Sequence, residues 1–290
     1  MSGSRAIYFA DAACQERVNV VENVRLARDT YRVRFRCPQI AARIVPGQFV
    51  MLRLAGGDDP LLARPLALYD TQLDAEGRPQ GLDLVYLVVG RMTSRLAQMR
   101  PGQPLDVWGP LGNGFAPAPV EHLVMVAGGI GVTPFLALGR YFLAGRLYGS
   151  WATPQPPSRR VTLCYGVRTA DYFAGLEDFK SCGIAVELVT EDGSAGRQGL
   201  VTERLAELLD RETDSVRVVA CGPEPMMDAV ARLTEARGVA CQVSLETPMA
   251  CGLGICFSCV AKVRDAEGGW DYRRTCVEGP VFDAREIVFD

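Results

Sequence analysis

The chain has 290 residues and a formal net charge of −3, and 48% of its residues are hydrophobic. This length predicts two or three domains, and the lack of a basic excess excludes nucleic acid as the main partner. No run of 18 apolar residues occurs, and the first fifteen residues lack the apolar core of a signal peptide. We therefore expect a cytoplasmic protein without membrane association.

The first part of the chain breaks into short β-rich runs that are separated by glycine and proline turns. Such a pattern is typical of antiparallel strands joined by tight connections. It predicts a small antiparallel β-barrel over residues 15–118. The expected strands are 18–26, 31–35, 49–54, 82–89 and 105–107.

A different pattern begins at residue 119. The apolar run 123–127 is followed by Gly128-Gly129-Ile130-Gly131-Val132-Thr133-Pro134, and then by helical periodicity to residue 145. A strand, a glycine turn and a helix that starts at a proline form the beginning of a βα unit, where a dinucleotide pyrophosphate can approach the backbone. A tight turn without a ligand is the alternative interpretation of this motif taken alone.

Strands and helices alternate through the middle of the chain. Strands are predicted at 161–165, 185–190 and 216–220, and helices at 202–209, with Thr202 as N-cap, and at 225–236. This order implies a parallel sheet over residues 119–237. The single histidine, His122, is expected at the surface of a domain junction rather than in a site. Segment 147–160 contains three prolines and is expected to be a loop without chemistry of its own.

The final segment, 238–290, carries four cysteines with a spacing typical of a [2Fe–2S] cluster. Cys251, Cys256 and Cys259 follow C-x4-C-x2-C, and Cys276 is the fourth. Glycines between the first two cysteines allow the backbone to wrap closely around inorganic sulfide. A structural zinc site usually uses two close cysteine pairs, and only one such pair is present here. We therefore favour the cluster, with a zinc site or a group of buried thiols as the alternatives. We expect the other six cysteines to be reduced, buried thiols: Cys14, Cys37, Cys164, Cys182, Cys221 and Cys241.

Three apolar residues, Leu253, Ile255 and Phe257, flank the cysteines. They could form a docking surface for a partner that exchanges electrons with the cluster. Packing around the cluster is the interpretation we favour, because an apolar shell also tunes the redox potential.

Six further segments follow one another along the chain: Arg64-Pro65-Leu66-Ala67, 109–115, 128–134, Glu191-Asp192-Gly193-Ser194, Cys221-Gly222-Pro223 and 275–282. In this order they resemble the ferredoxin-reductase superfamily, and more closely its family of electron-transfer subunits of dihydroorotate dehydrogenase type B. The resemblance covers nearly the whole chain. It implies an α+β multidomain fold with an FAD-binding antiparallel β-barrel (15–118), an NAD-binding α/β parallel-sheet domain (119–237) and a C-terminal [2Fe–2S] module (238–290).

The resemblance implies two FAD-binding segments in the barrel. In the first, Arg64 matches an arginine that meets the FAD pyrophosphate, while Ala67 replaces a hydroxyl residue, at a loss of about 0.5 to 1.5 kcal/mol for one hydrogen bond. A surface charge is the alternative role for Arg64. In the second segment Met92 replaces a glycine, and Thr93 is either a flavin contact or a plain helix cap. The residues carried over are Arg64, Pro65, Leu66, Ala67, Val85, Tyr86, Leu87, Met92 and Thr93.

The resemblance also implies a nicotinamide site at the glycine turn and at the Cys-Gly-Pro segment, with the cysteine near the nicotinamide. Arg168 could meet a 2′-phosphate, and we favour NAD over NADP from the resemblance alone. The residues carried over are Gly128, Gly129, Gly131, Thr133, Pro134, Cys221, Gly222 and Pro223.

The implied activity is that of an oxidoreductase subunit in pyrimidine biosynthesis. A separate FMN-containing catalytic subunit would oxidise dihydroorotate, and electrons would pass through the [2Fe–2S] cluster and FAD to NAD⁺. Two subunit pairs would form a heterotetramer. The alternatives are an FAD/[2Fe–2S] subunit of a ferredoxin:NAD(P) oxidoreductase, a hydrogenase or an oxygenase reductase, and a non-enzymatic interaction module stapled by zinc.

Overall fold

The computed structural model describes residues 12–57, 59–151 and 158–289. The expectation of no signal peptide falls mostly on residues 1–11, and part of the expected loop 147–160 falls on residues 152–157, so both lie partly outside the described residues. Within the described residues, no helix combines the length and the apolar character needed to cross a membrane.

Six antiparallel strands close a barrel in the order β1-β2-β5-β4-β3-β6. Closure pairs every strand on both sides, so that no edge is left unpaired. The five predicted strands are confirmed, and a sixth, β4, was not predicted. The strands are β1 (Cys14–Ala27), β2 (Thr30–Arg36), β3 (Phe49–Leu54), β4 (Arg64–Leu73), β5 (Pro79–Leu87) and β6 (Pro104–Leu111), with short helices α1 (Pro38–Ala41) and α2 (Arg91–Leu96).

The rest of the chain forms a seven-stranded sheet with helices and a separate two-stranded hairpin. The sheet order is β10-β9-β8-β7-β11-β12-β15, parallel throughout except for β15 at one edge. Chain beyond the expected boundary at residue 237 contributes β12 and β15 to this sheet. The elements are β7 (His122–Gly128), α3 (Phe135–Ala144), β8 (Arg160–Val167), α4 (Leu176–Lys180), β9 (Ala185–Thr190), β10 (Arg197–Gln198), α5 (Val201–Arg211), β11 (Val216–Cys221), α6 (Glu224–Glu235), β12 (Ala240–Ser244), β13 (Val260–Arg264), β14 (Trp270–Arg274) and β15 (Val281–Asp283).

The predicted N-cap of α5 is wrong. The helix begins at Val201, so Leu200 is the N-cap and Thr202 is already the second helical residue. A leucine side chain cannot accept a hydrogen bond, but the Glu203 carboxylate accepts one from the Leu200 backbone N–H at 3.4 Å. One half of a capping box therefore stabilises the helix start without a polar N-cap side chain.

The predicted surface position of His122 is also wrong. The side chain is 2% exposed; Nδ1 lies 2.5 Å from the Glu212 carboxylate and Nε2 lies 2.8 Å from the Thr162 hydroxyl. Burial lowers the pKa of His122 from its ordinary value. The imidazole therefore links β7 to β8 and to the end of α5, and it has a structural role.

A buried carboxylate joins the barrel to the parallel sheet domain. Asp70 in β4 is 2% exposed and forms ion pairs with Arg140 of α3 and with Arg146, whose guanidinium lies 3.1 Å away. The Tyr148 hydroxyl donates a further hydrogen bond to Asp70 at 2.8 Å. Desolvation raises the pKa of Asp70, while the two guanidinium groups act in the opposite direction. The Asp70 network thus ties the two domains on the side of β4.

The six scattered cysteines are free thiols. Four of them are buried, as predicted: Cys37, Cys164, Cys221 and Cys241. Cys14 and Cys182 are only half-buried, so the prediction is wrong for these two.

Candidate nucleotide cleft and cysteine cluster

A cleft of about 970 Å³ opens at the carboxyl ends of the parallel strands. In open α/β sheets, ligands bind at the carboxyl ends of the strands, at the point where the strand order reverses. Here that point is β7, which has β8 and β9 on one side and β11 on the other. The barrel closes part of the cleft with Thr30 and Leu87. Four of the residues predicted to bind the dinucleotide line it: Gly128, Gly129, Gly222 and Pro223.

The glycines of the turn have different reasons to be glycine. A Cβ on Gly131 would lie 2.2 Å from the Cys221 carbonyl oxygen, so this glycine is required by the close approach of two strand ends. Gly129 has φ +55° and open space where its Cβ would be. Gly129 is therefore the position where a phosphate can approach the backbone of the turn.

Three of the predicted dinucleotide residues lie behind the cleft wall. Thr133 is buried, and Pro134 is buried and is the N-cap of α3. The Cys221 thiol is also buried, and desolvation raises its pKa well above the ordinary value. These residues support the turn and the end of β11, and we assign them no direct contact.

Two charged residues of the cleft wall, Glu191 and Glu246, were not placed in the site from the sequence, whereas Arg168 was named there as a candidate contact of a 2′-phosphate. Arg168 follows β8, Glu191 follows β9 and Glu246 follows β12, and all three line the cleft. Burial within the cleft raises the pKa of Glu246. For Glu191 the available signal was its position directly after the predicted strand 185–190, because parallel strands end at the same edge of a sheet. No strand was predicted before Glu246, so the sequence offered no such signal for that residue.

The first predicted FAD segment, Arg64 to Ala67, is the half-buried start of β4. The Arg64 guanidinium donates to the carbonyl oxygens of Leu62 and Ala63, at 3.2 and 3.0 Å. Among the described residues it forms no ion pair with an acidic side chain. The guanidinium is therefore available to a phosphate, as binding of the FAD pyrophosphate requires.

The second predicted FAD segment is less accessible. The Val85, Tyr86 and Met92 side chains belong to the buried barrel core, and Leu87 alone of these side chains lines the cleft. The Thr93 hydroxyl accepts hydrogen bonds from the N–H groups of Val89 and Gly90, at 3.1 and 3.2 Å. The helix-cap interpretation thus accounts for the Thr93 side chain, and only the backbone of this turn is left for a flavin.

The structure brings the four predicted cluster cysteines together as two pairs. The Sγ atoms of Cys259 and Cys276 are 3.1 Å apart, and Cys251 lies within hydrogen-bonding reach of Cys256. Within the part of the chain that the structure describes, no three His, Cys, Asp or Glu side chains converge on one metal-ion position. Two thiolate pairs match the ligand requirement of a two-iron cluster, in which each iron takes two protein sulfurs.

The cysteine loop provides the electrostatic environment that metal-bound thiolates need. The Ser258 hydroxyl lies 3.1 Å from Cys256 Sγ, and this hydrogen bond is the main cause that lowers the pKa of Cys256 to about 6. The Leu253 backbone N–H donates to Cys251 Sγ at 3.3 Å. The donor set therefore fits a [2Fe–2S] cluster bound by Cys251, Cys256, Cys259 and Cys276.

The cysteine loop packs directly on the barrel. The Trp108 indole N–H donates to the Cys251 carbonyl at 3.0 Å. Gly252 has φ +73°, and a Cβ there would lie 2.6 Å from Met51 Cγ and 2.9 Å from Leu111 Cδ1. The first glycine of the loop is thus required by contact with barrel strands β3 and β6.

The favoured interpretation of the apolar flanking residues is wrong. Ile255 is 76% exposed and Phe257 is 62% exposed, and Leu253 is also exposed. The Arg274 guanidinium lies over the Phe257 ring, 5.0 Å from its centroid. These three residues, together with the exposed Cys256, form an apolar surface beside the cysteine pairs, which we call the cluster face.

Three family models together match most of the chain. An oxidoreductase FAD-binding domain matches residues 17–115, and an oxidoreductase NAD-binding domain matches residues 125–232. The iron–sulfur cluster binding domain of dihydroorotate dehydrogenase B matches residues 246–288.

Curated relatives match over nearly their whole length. The "dihydroorotate dehydrogenase B (NAD(+)), electron transfer subunit" of Caldanaerobacter subterraneus subsp. tengcongensis is 34% identical over 94% of this chain and 98% of its own. The protein of the same name from Shouchella clausii is 36% identical with the same coverage.

Solved structures share the fold. The structure described as NADH-dependent reduced ferredoxin-NADP oxidoreductase aligns with a TM-score of 0.76 and 28% identity, covering 100% of this chain and 92% of its own. A ferredoxin reductase of carbazole 1,9a-dioxygenase aligns with a TM-score of 0.64 over 78% of this chain and 67% of its own. At 21% identity, the second alignment shows the fold alone.

Proposed function

Because the chain belongs to the family of electron transfer subunits of dihydroorotate dehydrogenase B, we propose that it transfers electrons from a dihydroorotate-oxidising partner to NAD⁺. It is an oxidoreductase subunit with FAD, NAD and iron–sulfur domains. When bound, FAD couples the two-electron chemistry of a nicotinamide to the one-electron chemistry of an iron–sulfur cluster.

The packing of the cysteine loop on the flavin segment carries this proposal. Met51 in β3 pairs with Pro65 in β4, next to Arg64, and the same Met51 side chain contacts the backbone at Gly252. Paired strands are roughly 4.8 Å apart. The cysteine loop is thus separated from the proposed flavin-binding strand only by β3, which favours electron transfer between the two cofactor sites.

The cleft supports the second step of the proposed electron path, the transfer between FAD and NAD⁺. Leu87, at the end of β5 in the barrel, lines the same cavity as Gly129 and Gly222 of the parallel sheet domain. A nicotinamide entering this cleft would have the barrel on one side and the strand ends on the other. The chain's own residues bind, orient and shield the cofactors, and no side chain is needed as a general acid or base.

We assign the cluster face to the partner. An exposed apolar surface beside a redox centre allows close approach and excludes water from the contact. The partner that fits the family is an FMN-containing catalytic subunit, two copies of each subunit would form a heterotetramer, and the complex would work in the cytoplasm. The name "electron transfer subunit" supports a catalytic partner.

A second candidate, a subunit of a ferredoxin:NADP oxidoreductase, is favoured by one observation. The full-length structural alignment with such an enzyme covers the barrel, the sheet and the cysteine module. We prefer the first candidate because the curated relatives that share 34 to 36% of their residues are named for dihydroorotate dehydrogenase.

Anaerobic spectroscopy tests the proposed function. NADH added to the purified protein should bleach flavin and cluster absorbance together, and dihydroorotate should bleach neither until the catalytic subunit is added. Dihydroorotate oxidation by this chain alone would contradict the proposal, because the catalytic step is assigned to the partner. A colourless preparation that contains zinc would favour the interaction module instead.

Replacing Arg64 should weaken FAD binding. The change Arg64→Leu removes a forked cation from the pyrophosphate, and hydrogen bonds to charged groups contribute about 1.5 to 3 kcal/mol, so affinity should fall roughly 10- to 100-fold. The fluorescence of flavin that the protein releases on dilution measures this loss of affinity. Arg64→Lys keeps the charge, so its FAD affinity should lie between those of the unchanged protein and Arg64→Leu. If Arg64→Leu retained FAD, Arg64 would be a surface charge without a role in flavin binding.

A charge on the cluster face should weaken partner binding. Ile255→Glu places a carboxylate in the proposed contact and should reduce the amount of catalytic subunit that co-purifies. The matched control is Leu73→Glu, which changes an exposed apolar residue at the opposite end of β4 from Arg64. Equal co-purification of both variants, with cluster absorbance intact, would place the contact elsewhere.

A further inference from the structure

Two of the six segments that carry the family resemblance, 109–115 and 275–282, lie outside the nucleotide cleft and contact each other. Gly112 has φ +76°, and a Cβ there would lie 2.5 Å from Pro280 Cδ and 2.8 Å from the Gly279 carbonyl oxygen. The chain that leaves β6 and the chain that enters β15 therefore approach so closely that only glycine fits at residue 112.

The Asn113 side chain binds the second of these segments with both its donor and its acceptor atoms. Its amide nitrogen donates to the Val281 carbonyl at 2.7 Å and to the Glu278 carbonyl at 3.3 Å. Its amide oxygen accepts from the Val281 N–H at 3.1 Å. The Asn113 backbone N–H also donates to the Gly279 carbonyl at 2.7 Å. A single residue after β6 thus makes four hydrogen bonds to residues 278–281.

The segment that Asn113 binds contains a proposed cluster ligand. Cys276 is fully buried, and its sulfur lies 3.1 Å from Cys259 Sγ. The Glu278 N–H donates to the Arg274 carbonyl at 2.8 Å and closes a turn around Cys276. Asn113 bonds the Glu278 carbonyl where this turn ends, so it fixes the Cys259–Cys276 pair relative to the barrel.

The barrel side of this contact leads to the proposed flavin segment. Leu111, two residues before Asn113, pairs with Phe49 in β3, and Phe49 pairs with Ala67 in β4. Leu111 and Ala67 are thus two strand spacings apart, roughly 10 Å. Only paired strands separate Asn113 from the flavin segment, so this side of the contact is rigid.

We propose that Asn113 is a positioning residue for electron transfer between the iron–sulfur cluster and FAD, because it holds Cys276 at a fixed place relative to the flavin segment. This inference rests on the proposed function. In the step that it serves, one electron moves between the two groups, so that one is oxidised as the other is reduced, and no covalent bond forms or breaks. Asn113 itself is neither a cluster ligand nor a flavin contact.

Anaerobic stopped-flow mixing of the purified holoprotein with NADH tests the proposal. Flavin absorbance reports reduction by NADH, and cluster absorbance reports the electron transfer that follows. Asn113→Ala should keep the cluster, because the Cys251 half of the loop is held separately by the Trp108 indole. Its flavin should be reduced at the unchanged rate and its cluster about tenfold more slowly, as expected when an outer hydrogen bond at a metal site is lost.

Two further readouts separate positioning from a general loss of structure. The EPR spectrum of the reduced cluster should change in Asn113→Ala, because the Cys259–Cys276 pair is no longer fixed from outside. The Val281 amide hydrogen should exchange faster, since its acceptor is gone. Asn113→Ser retains a smaller donor and acceptor, so its cluster should be reduced at a rate between those of Asn113→Ala and the unchanged protein.

The matched control is Asn23→Ala, which removes the same number of side-chain hydrogen bonds from another part of the barrel. The Asn23 amide donates to the carbonyls of Leu96 and Met99, at 2.7 and 3.2 Å, and accepts from the Tyr86 hydroxyl at 3.0 Å. This control should lower the unfolding temperature as Asn113→Ala does, but it should leave the rate of cluster reduction and the EPR spectrum unchanged.

Three results would overturn the proposal. They are equal slowing of cluster reduction in Asn23→Ala and Asn113→Ala, an unchanged rate and EPR spectrum in Asn113→Ala, and loss of the cluster itself from both Asn113 variants, which would make Asn113 a requirement for cluster binding. Failure of the proposed function is distinct, because NADH would then bleach neither flavin nor cluster in the unchanged protein.

Discussion

The variant Cys276→Ala should lose the iron–sulfur cluster while keeping the flavin. Cys276 is fully buried and its sulfur is paired with that of Cys259, so no other thiol can take its place without moving the backbone. Residues that only support metal ligands contribute roughly 10- to 100-fold to metal affinity, and loss of a ligand should exceed that range. Iron analysis and visible absorbance measure the loss, and electron transfer between NADH and the catalytic subunit should stop.

The control for this variant is Cys14→Ala. Cys14 is a half-buried free thiol at the start of β1 and belongs to neither cysteine pair, so iron content should not change. NADH should still reduce the flavin in Cys276→Ala, because the cleft and the Arg64 segment are built from other strands. A variant that retained full cluster absorbance would show that Cys276 is not a ligand.

The variant Asp70→Asn should be the most damaging single change to stability outside the cysteine cluster. It leaves Arg140 and Arg146 beside a neutral group in a buried interface. Removing one partner of a buried ion pair costs about 3 to 5 kcal/mol of unfolding free energy. Thermal unfolding followed by circular dichroism should show a Tm lower by roughly 10 °C, because each kcal/mol of lost unfolding free energy lowers the Tm of a chain of this size by about 2 to 4 °C.

The matched control is Glu76→Gln, which removes one negative charge from the turn between β4 and β5. Glu76 pairs with Arg78 at 2.8 Å, but both side chains are exposed, so the loss should stay below about 1 kcal/mol. A midpoint for Asp70→Asn as high as that of Glu76→Gln would mean that the Asp70 network contributes little. A second variant, Asp70→Asn with Arg140→Met, should recover part of the loss because one uncompensated charge is removed.

The sequence predicted those elements whose pattern is local. Strand 123–127 with its glycine turn and the cysteine spacing needed only neighbouring residues to be recognised, and both are present. β4 was missed because Pro65 and Asp70 disfavour a strand, although Pro65 is tolerated near the strand start and Asp70 is neutralised by residues far along the chain. Such long-range compensation cannot be read from local propensity.

The site was predictable in its backbone motifs and less so in its side chains. The order of segments indicated the glycine turn and the Cys-Gly-Pro segment, but Thr133 and Cys221 turned out to be buried behind the wall. Glu191 and Glu246 enter the cleft only because separate strands end at one edge. His122 was misplaced for a similar reason, since its partners Glu212 and Thr162 are distant in sequence.

Strand β4 has a consequence for the motions that the protein can undergo. Its first residues pair with β3, whose Met51 contacts the cysteine loop at Gly252, and its residues Tyr69 and Asp70 contact the nucleotide domain, where the Tyr69 hydroxyl donates to Asp178 at 2.8 Å. The ten residues of β4, with the neighbouring strand β3, therefore connect all three parts of the molecule. Relative movement of the nucleotide domain against the cysteine loop would have to bend or unpair a strand whose first half pairs with β3 and whose second half pairs with β5. Amide hydrogens of β4 should accordingly exchange among the slowest in the chain, and the spacing between the two electron-transfer sites should stay nearly constant during turnover.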